Sequence, residues 1–315
     1  MEKRILLALP AFILTASLFL TGYAYAKHVP PWIRLIDPIV STDWLAANSG
    51  LQDLVILDIR GGGDYAAGHI PKAINVPFTD PFSSEWVVSD PNGLWLQLPE
   101  KAALFNTIGS RGIKKDSLVV IVTTTGAPPY PLANATRVAD TLIYAGVKNV
   151  AILDGGYPKW VAEGKSTTTE IPVVQPIPYR AKVDEEMFVA IEYVRKHIGK
   201  ALIIDARDAD VYFGVTIEPF ADKAGHIPTA RSLPTPWMWN PDGTYKDAEI
   251  LGAMASGVIG RHEASEIIVY CGVGGYASSW WFVLTQVLGY ENVKIYDGSA
   301  QEWVKYYEMV PYQWD

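Results

Sequence analysis

Short apolar runs rich in β-branched residues recur along the chain, and a polar residue or a cysteine follows each of them. Uninterrupted runs of this length are typical of strands buried in a parallel sheet. Longer segments at residues 132–144 and 277–288 are predicted helices. Strands that alternate with helices predict an α/β fold, with a mostly parallel sheet flanked by helices. The predicted strands are residues 54–57, 118–122 and 151–153, then 202–204, 267–270 and 293–296.

The second half of the chain repeats motifs of the first. ILDIR at residues 56–60 returns as IIDAR at residues 203–207, and GHIP at residues 68–71 returns at residues 225–228. The offset of roughly 145–155 residues is that of a duplicated domain and not of a short-period solenoid.

The duplication divides the chain into two domains joined by a linker. We predict an N-terminal domain over residues 37–165 and a C-terminal domain over residues 184–315. Residues 166–183 contain a run of threonines and several prolines, which predicts an extended linker. The linker prolines are Pro172, Pro176 and Pro178.

The first 26 residues predict export. Lys3 and Arg4 precede an apolar run, and a small-residue site ends at Ala26. This order is typical of a signal peptide cleaved after Ala26, which places the protein in the periplasm or outside the cell. An uncleaved membrane anchor is the alternative, since the apolar run is nearly long enough to span a bilayer. After cleavage no stable membrane contact is expected.

Composition excludes some classes of partner. The 315 residues are 49% hydrophobic and 19% charged, as expected of a globular chain with a sizeable core. The net charge is −8, whereas nucleic-acid binding requires a basic face, so nucleic acid is excluded as a partner. No cluster of His and Cys shows the spacing of a metal site, and no cofactor motif is present.

Cys271 is the single cysteine, and it follows a predicted strand. The glycines Gly272, Gly274 and Gly275 come directly after it, before a predicted helix. Backbone N–H groups and a helix N-terminus aimed at the sulfur would favour the thiolate, which predicts a reactive cysteine. The alternative is a small buried apolar residue at a strand end.

These motifs, in this order and in two copies, resemble the rhodanese superfamily, and specifically its tandem-domain sulfurtransferases. The resemblance covers roughly residues 37–311 and implies two tandem rhodanese-like domains. The motifs that carry it in the C-terminal half are Asp205-Ala206-Arg207, Gly225-His226-Ile227-Pro228, Asp242-Gly243-Thr244, the loop from Cys271, and Asp297-Gly298-Ser299 with Trp303.

The resemblance implies that Cys271 takes a sulfur atom from a small donor, holds it as a persulfide and passes it to a nucleophilic acceptor. The resemblance implies thiosulfate or 3-mercaptopyruvate as donor, and for an exported protein polysulfide or a protein persulfide is a further alternative. The acceptor would be a thiol, a cyanide-like molecule or a protein. It also implies that Arg207 helps to hold an anionic donor; an ion pair with Asp205 or a nearby carboxylate is the alternative. Loop amides would surround the sulfur, from Gly272, Val273, Gly274, Gly275, Tyr276 and Ala277.

Other positions refine this interpretation. Aligning the two halves places Thr123 at the position of Cys271, so the N-terminal domain is expected to lack a catalytic thiol. His69 and His226 are expected to be structural. The loop after Cys271 has no charged side chain, which disfavours a doubly charged donor. A non-enzymatic rhodanese module, or a redox sensor or sulfur carrier in the cell envelope, is the alternative function.

Overall fold

A computed structural model describes residues 34–78, 84–260 and 266–313 of the chain. The predicted signal segment, residues 1–26, lies outside these ranges. Within the described residues no helix is both long and apolar enough to cross a bilayer.

The N-terminal domain is built on a five-stranded parallel sheet with the order β1-β5-β4-β2-β3. Its strands are short, and β2, β4 and β5 are almost wholly buried, which explains why they appear in the sequence as unbroken apolar runs. The strands are β1 (Ile39–Val40), β2 (Leu54–Asp58), β3 (Ile74–Asn75), β4 (Leu118–Val122) and β5 (Asn149–Leu153). The helices are α1 (Thr42–Asn48), α2 (Gly62–Ala67), α3 (Lys101–Ser110), α4 (Tyr130–Tyr144) and α5 (Gly156–Ala162).

The C-terminal domain repeats this plan with the strand order β6-β10-β9-β7-β8, again all parallel. The predicted α/β architecture of two mostly parallel sheets flanked by helices is therefore confirmed. The strands are β6 (Phe188–Val189), β7 (Leu202–Asp205), β8 (Ala230–Ser232), β9 (Ile267–Tyr270) and β10 (Val293–Tyr296). The helices are α6 (Ile191–His197), α7 (Ala209–Tyr212), α8 (Ala248–Ile259), α9 (Gly275–Phe282) and α10 (Ser299–Tyr306).

The strand register shows which positions of the two domains correspond. Asp58 on β2 pairs with Val122 on β4, and Asp205 on β7 pairs with Tyr270 on β9. The next residue along each second strand is therefore Thr123 in one domain and Cys271 in the other. The alignment made from the sequence agrees with this register.

The two domains pack together mainly through α4 and α9, and one apolar core extends across both. Within this interface the hydroxyl groups of Thr136 and Ser279 lie 2.8 Å apart. The predicted helix over residues 277–288 is longer than α9, which begins two residues earlier and changes to a π-helical turn over Val283–Val287. A π turn places one extra residue in the helix, which a 3.6-residue sequence pattern does not reveal.

Candidate active site

Cys271 lies at the carboxyl end of β9, in the middle of its sheet, and is only 2% exposed. The start of α10 fixes its backbone. The N–H of Cys271 donates to Ser299 Oγ at 3.2 Å, and its carbonyl oxygen accepts from the N–H of Ala300 at 2.9 Å. The next carbonyl, of Gly272, accepts from the N–H of Gln301 at 3.0 Å. The loop is therefore attached to a second helix N-terminus besides that of α9.

The loop after the strand turns back over the sulfur. Gly274 caps α9 in the left-handed region, with φ of +103°, and its N–H donates to Cys271 Sγ at 3.0 Å. The N–H groups of Val273 and Ala277 also donate to this sulfur. Three of the six predicted loop amides thus converge on the thiol, an arrangement that stabilises a sulfur anion.

The remaining predicted loop residues have other contacts. Gly275 is the first residue of α9, and the carbonyl of Tyr276 accepts from the Thr235 hydroxyl at 3.0 Å. Gly272 faces Glu218, because a β-carbon built on this glycine would lie 2.7 Å from Glu218 Oε1. Any side chain at position 272 would therefore displace that carboxylate.

The acid–base state of Cys271 differs from the sequence-based expectation of a favoured thiolate. Burial raises the pKa of the Cys271 thiol, and the Glu218 carboxylate raises it further, while the three loop amides lower it. The net direction is upward, since removing a charged sulfur from water costs more than three neutral donors return. The expectation was wrong because the sequence does not show how deeply the thiol is buried.

Arg207 is 2% exposed and is held by its own domain. Its Nε donates to Asp205 Oδ1 at 3.0 Å, and its Nη2 donates to Asp205 Oδ2 at 2.6 Å and to the Gly225 carbonyl at 2.8 Å. Its Nη1 faces Glu218 Oε2 at 3.4 Å. The structure thus shows the ion pairs that were the alternative to donor binding; the role of Arg207 in holding a donor stays a prediction.

Glu218 is a site residue that the sequence analysis missed. It lies in the segment between α7 and β8, where no motif marks it. Burial raises the pKa of its carboxyl group, and Arg207 opposes that rise. Its position beside both Arg207 and Gly272 makes it the acidic neighbour of the cysteine loop.

Aromatic side chains from both domains flank the same loop. Tyr130, at the start of α4, lies with its ring centroid 5.7 Å from that of Tyr276. Trp95 and Phe220 approach to 5.6 Å, and the Phe220 ring lies against Gly272. The N-terminal domain therefore supplies part of the wall around Cys271.

The two histidines of the repeated GHIP motif are structural, as predicted. Both are fully buried, and each stacks on a tyrosine ring, His69 on Tyr65 at 3.7 Å and His226 on Tyr212 at 3.9 Å. Each Nδ1 donates to the carbonyl of that tyrosine, at 2.9 and 3.0 Å. Among the described residues, no group of three or more His, Cys, Asp or Glu side chains is placed to hold a metal ion.

Comparison with known proteins decides the family. The family model for the rhodanese-like domain matches this chain twice, over residues 41–163 and 190–306. The chain belongs to the rhodanese family. Two rhodanese-like domains in one chain agree with the two sheets and with the strand register that aligns Thr123 with Cys271.

Several relatives of this rhodanese-family chain are full-length matches. The sulfur carrier protein TtuD of Thermus thermophilus is 34% identical over 292 residues, covering 85% of this chain and 93% of TtuD. SseA from Escherichia coli, a 3-mercaptopyruvate sulfotransferase of known crystal structure, is 28% identical with a TM-score of 0.69. The match covers 84% of this chain and 99% of SseA.

A more distant structure supports the fold. An EanB variant, described as a cysteine persulfide in a tetrahedral intermediate state with ergothioneine, has a TM-score of 0.73 at 22% identity. The match covers 87% of this chain and 71% of EanB. The family match together with TtuD and SseA supports sulfur transfer in general.

Proposed function

We propose that this protein transfers sulfane sulfur from a small donor to a nucleophilic acceptor through a persulfide on Cys271. The observation that carries the proposal is the Gly274 N–H, which donates to the buried Cys271 sulfur at 3.0 Å while the N–H groups of Val273 and Ala277 converge on the same atom. Neutral donors fixed around one sulfur stabilise negative charge on that atom, both in the attacking thiolate and in the thiolate that forms when the persulfide is cleaved.

The proposed chemistry needs no external oxidant or reductant. The Cys271 thiol, whose pKa burial raises, first gives its proton to water. A lone pair of the resulting thiolate attacks the transferable sulfur of the donor, and the bond joining that sulfur to its parent breaks with both electrons on the parent. The acceptor then attacks the terminal sulfur of the persulfide. The sulfur–sulfur bond breaks with its electrons on Sγ, and the Cys271 thiolate returns.

We propose a donor with less negative charge than thiosulfate. The loop side chains from Gly272 to Ala277 are uncharged, and both sides of the Arg207 guanidinium are occupied, by Asp205 and by Glu218. A dianion would meet the Glu218 carboxylate at this point. Mercaptopyruvate, singly protonated polysulfide and a protein persulfide meet this condition as donors. The acceptor would be a thiol, a cyanide-like molecule or a protein. A donor carboxylate would be held by Arg207 if it displaced Glu218.

Mass spectrometry of the intact protein tests the proposal. Incubation with 3-mercaptopyruvate or polysulfide should add one sulfur atom at Cys271, and thiosulfate should add less. Cys271→Ser should fold and take up none. If no donor adds sulfur, the transfer proposal fails; if Cys271 instead forms a sulfenic acid with peroxide, the redox-sensor function is favoured.

We propose further that the protein is exported and works in the periplasm or outside the cell. The support is the order of charged, apolar and small residues that ends at Ala26. N-terminal sequencing of protein purified from its own cells should begin at Lys27. A membrane-bound protein that retains residues 1–26 would instead show an anchor.

A further inference from the structure

The N-terminal domain contributes a buried cation to the domain interface. Arg137, on α4, is fully buried and donates from Nη2 to Asp297 Oδ1 at 2.7 Å and to the Leu96 carbonyl at 2.5 Å. Its guanidinium carbon lies 5.0 Å from the centroid of the Phe188 ring. Asp297, just after β10 in the C-terminal domain, also accepts from the N–H of Leu98 at 3.1 Å. One charge pair therefore joins the two domains at this point.

This pair lies directly against Gly274. A β-carbon built on Gly274 would lie 3.4 Å from the Asp297 carbonyl oxygen, 3.8 Å from Asp297 Oδ1 and 3.7 Å from Arg137 Nη1. Arg137 Nη1 and Nε have no hydrogen-bond partner in the described part of the chain. Donors left unpaired at full burial are costly. The charge of Arg137 is offset in part by the buried Asp140 carboxylate, which interacts with it from the same helix.

Gly274 is the residue whose orientation matters most for the sulfur. Its φ of +103° turns its N–H toward Cys271 Sγ at 3.0 Å. A glycine can rotate away from this conformation easily, because it has no β-carbon to restrict it. The N–H and the hydroxyl of Ser278 hold the Gly274 carbonyl at 3.1 and 3.0 Å. On the other side the Arg137–Asp297 pair leaves room for only about one methyl group, which limits how far Gly274 can rotate.

We propose that Arg137 is a positioning residue for sulfur transfer: paired with Asp297, it holds Gly274 so that the Gly274 N–H points at the sulfur anion of Cys271. The N-terminal domain then takes part in catalysis without a thiol of its own. The inference rests on the proposed function only in that the stabilised anion is an intermediate of sulfur transfer. The effect of Arg137 on the Cys271 thiolate can be measured by alkylation without any sulfur donor.

The test is the pH profile of Cys271 alkylation by iodoacetamide, followed by mass spectrometry. Arg137→Lys keeps the charge but cannot reach both Leu96 and Asp297 while filling the same space. We expect the profile midpoint to move to higher pH, because the sulfur anion loses a hydrogen bond. Persulfide formation should slow about tenfold to a hundredfold, as for a displaced anion-stabilising donor.

Thr136→Val is the matched control, because Thr136 lies beside Arg137 on α4 and its hydroxyl contacts Ser279 across the same interface. It should leave the midpoint unchanged. A native midpoint in Arg137→Lys, or the same shift in Thr136→Val, would overturn the proposal. If Arg137→Lys does not fold, Asp297→Asn replaces it. Loss of the Asp297 charge alone would lower the midpoint, so a midpoint above the native value supports positioning and one at or below it overturns the proposal. A shifted midpoint with no sulfur uptake from any donor would refute the proposed function and leave the positioning intact.

Discussion

Each domain contains a buried arginine whose guanidinium donates to the aspartate two residues earlier, an arrangement we call the arginine–aspartate fork. The residues around the fork differ between the two domains. Arg60 and Arg207 each donate from Nη2 to the aspartate two residues earlier at 2.6 Å, and each also donates to a glycine carbonyl of the GHIP motif. The outer face of Arg60 lies on the Tyr157 ring at 3.5 Å, whereas Nη1 of Arg207 faces Glu218. The fork itself is therefore a structural element of the fold, and the acidic partner is peculiar to the domain with the thiol.

The loops that follow the equivalent strands differ more. In the N-terminal domain the Thr123 hydroxyl donates to the Pro131 carbonyl at 2.9 Å, and α4 begins only at Tyr130. In the C-terminal domain α9 begins at Gly275, four residues after Cys271. In the C-terminal domain the short glycine loop turns back so that its N–H groups face the strand end. The longer, proline-containing loop of the N-terminal domain does not turn back in this way. An equivalent strand end becomes a candidate active centre only when the next few residues turn tightly enough.

The largest expected effect comes from moving the thiol between the domains. In the double variant Thr123→Cys/Cys271→Ser, transfer should fall to background, because the loop after position 123 has prolines where an anion-binding loop needs N–H groups. Intact-mass analysis after donor treatment provides the measurement, with native protein as the reference. Uptake of sulfur by the cysteine at position 123 would show that transfer depends more on the position at the strand end than on the loop that follows it.

The roles of the two arginines can be distinguished by the effect of their replacement on sulfur transfer. Arg60→Gln and Arg207→Gln should each lower the free energy of unfolding by about 3–5 kcal/mol, because each leaves a buried aspartate without its counter-charge. Urea denaturation measures this loss. Only Arg207→Gln should also reduce sulfur transfer at temperatures where both variants are folded. Equal activities in the two variants would make Arg207 purely structural.

Glu218→Gln should change the acid–base behaviour of Cys271. Besides burial, the Glu218 carboxylate raises the pKa of the thiol, so its neutral replacement should shift the midpoint of alkylation to lower pH. Thiolate then forms at lower pH and the alkylation rate near neutral pH rises. Glu85→Gln, which removes an acidic partner of Arg111 in the N-terminal domain, is the control and should leave the midpoint unchanged.

The smallest effect on transfer is expected at the repeated histidines. His69→Phe and His226→Phe keep the stacked ring but each remove one hydrogen bond to a tyrosine carbonyl, at a cost of about 0.5–1.5 kcal/mol each. Thermal unfolding should show similar losses in the two variants. Transfer measured below the unfolding transition should stay native in both, and a selective loss in His226→Phe would assign that histidine to the active centre.

The sequence predicted the features that depend on local pattern. Unbroken apolar runs located the central strands, and the repeated motifs aligned Thr123 with Cys271 before the strand register was known. The contributions of Glu218 and Arg137 depend on chain segments that meet only after folding, and no motif marks either residue. The direction of the Cys271 pKa likewise depends on burial of the sulfur, which is a property of packing and not of the loop sequence.

The depth of Cys271 also has a consequence for storage and delivery of sulfur. A terminal sulfur atom attached to a thiol that is 2% exposed is shielded from bulk reductants and from dissolved oxidants. We expect the persulfide to persist until a small acceptor, such as a small anion or the end of an extended peptide, reaches the buried sulfur. The half-life of the loaded state and the size of its recipient should therefore be linked, since burial of the sulfur limits access for both bulk reagents and recipient.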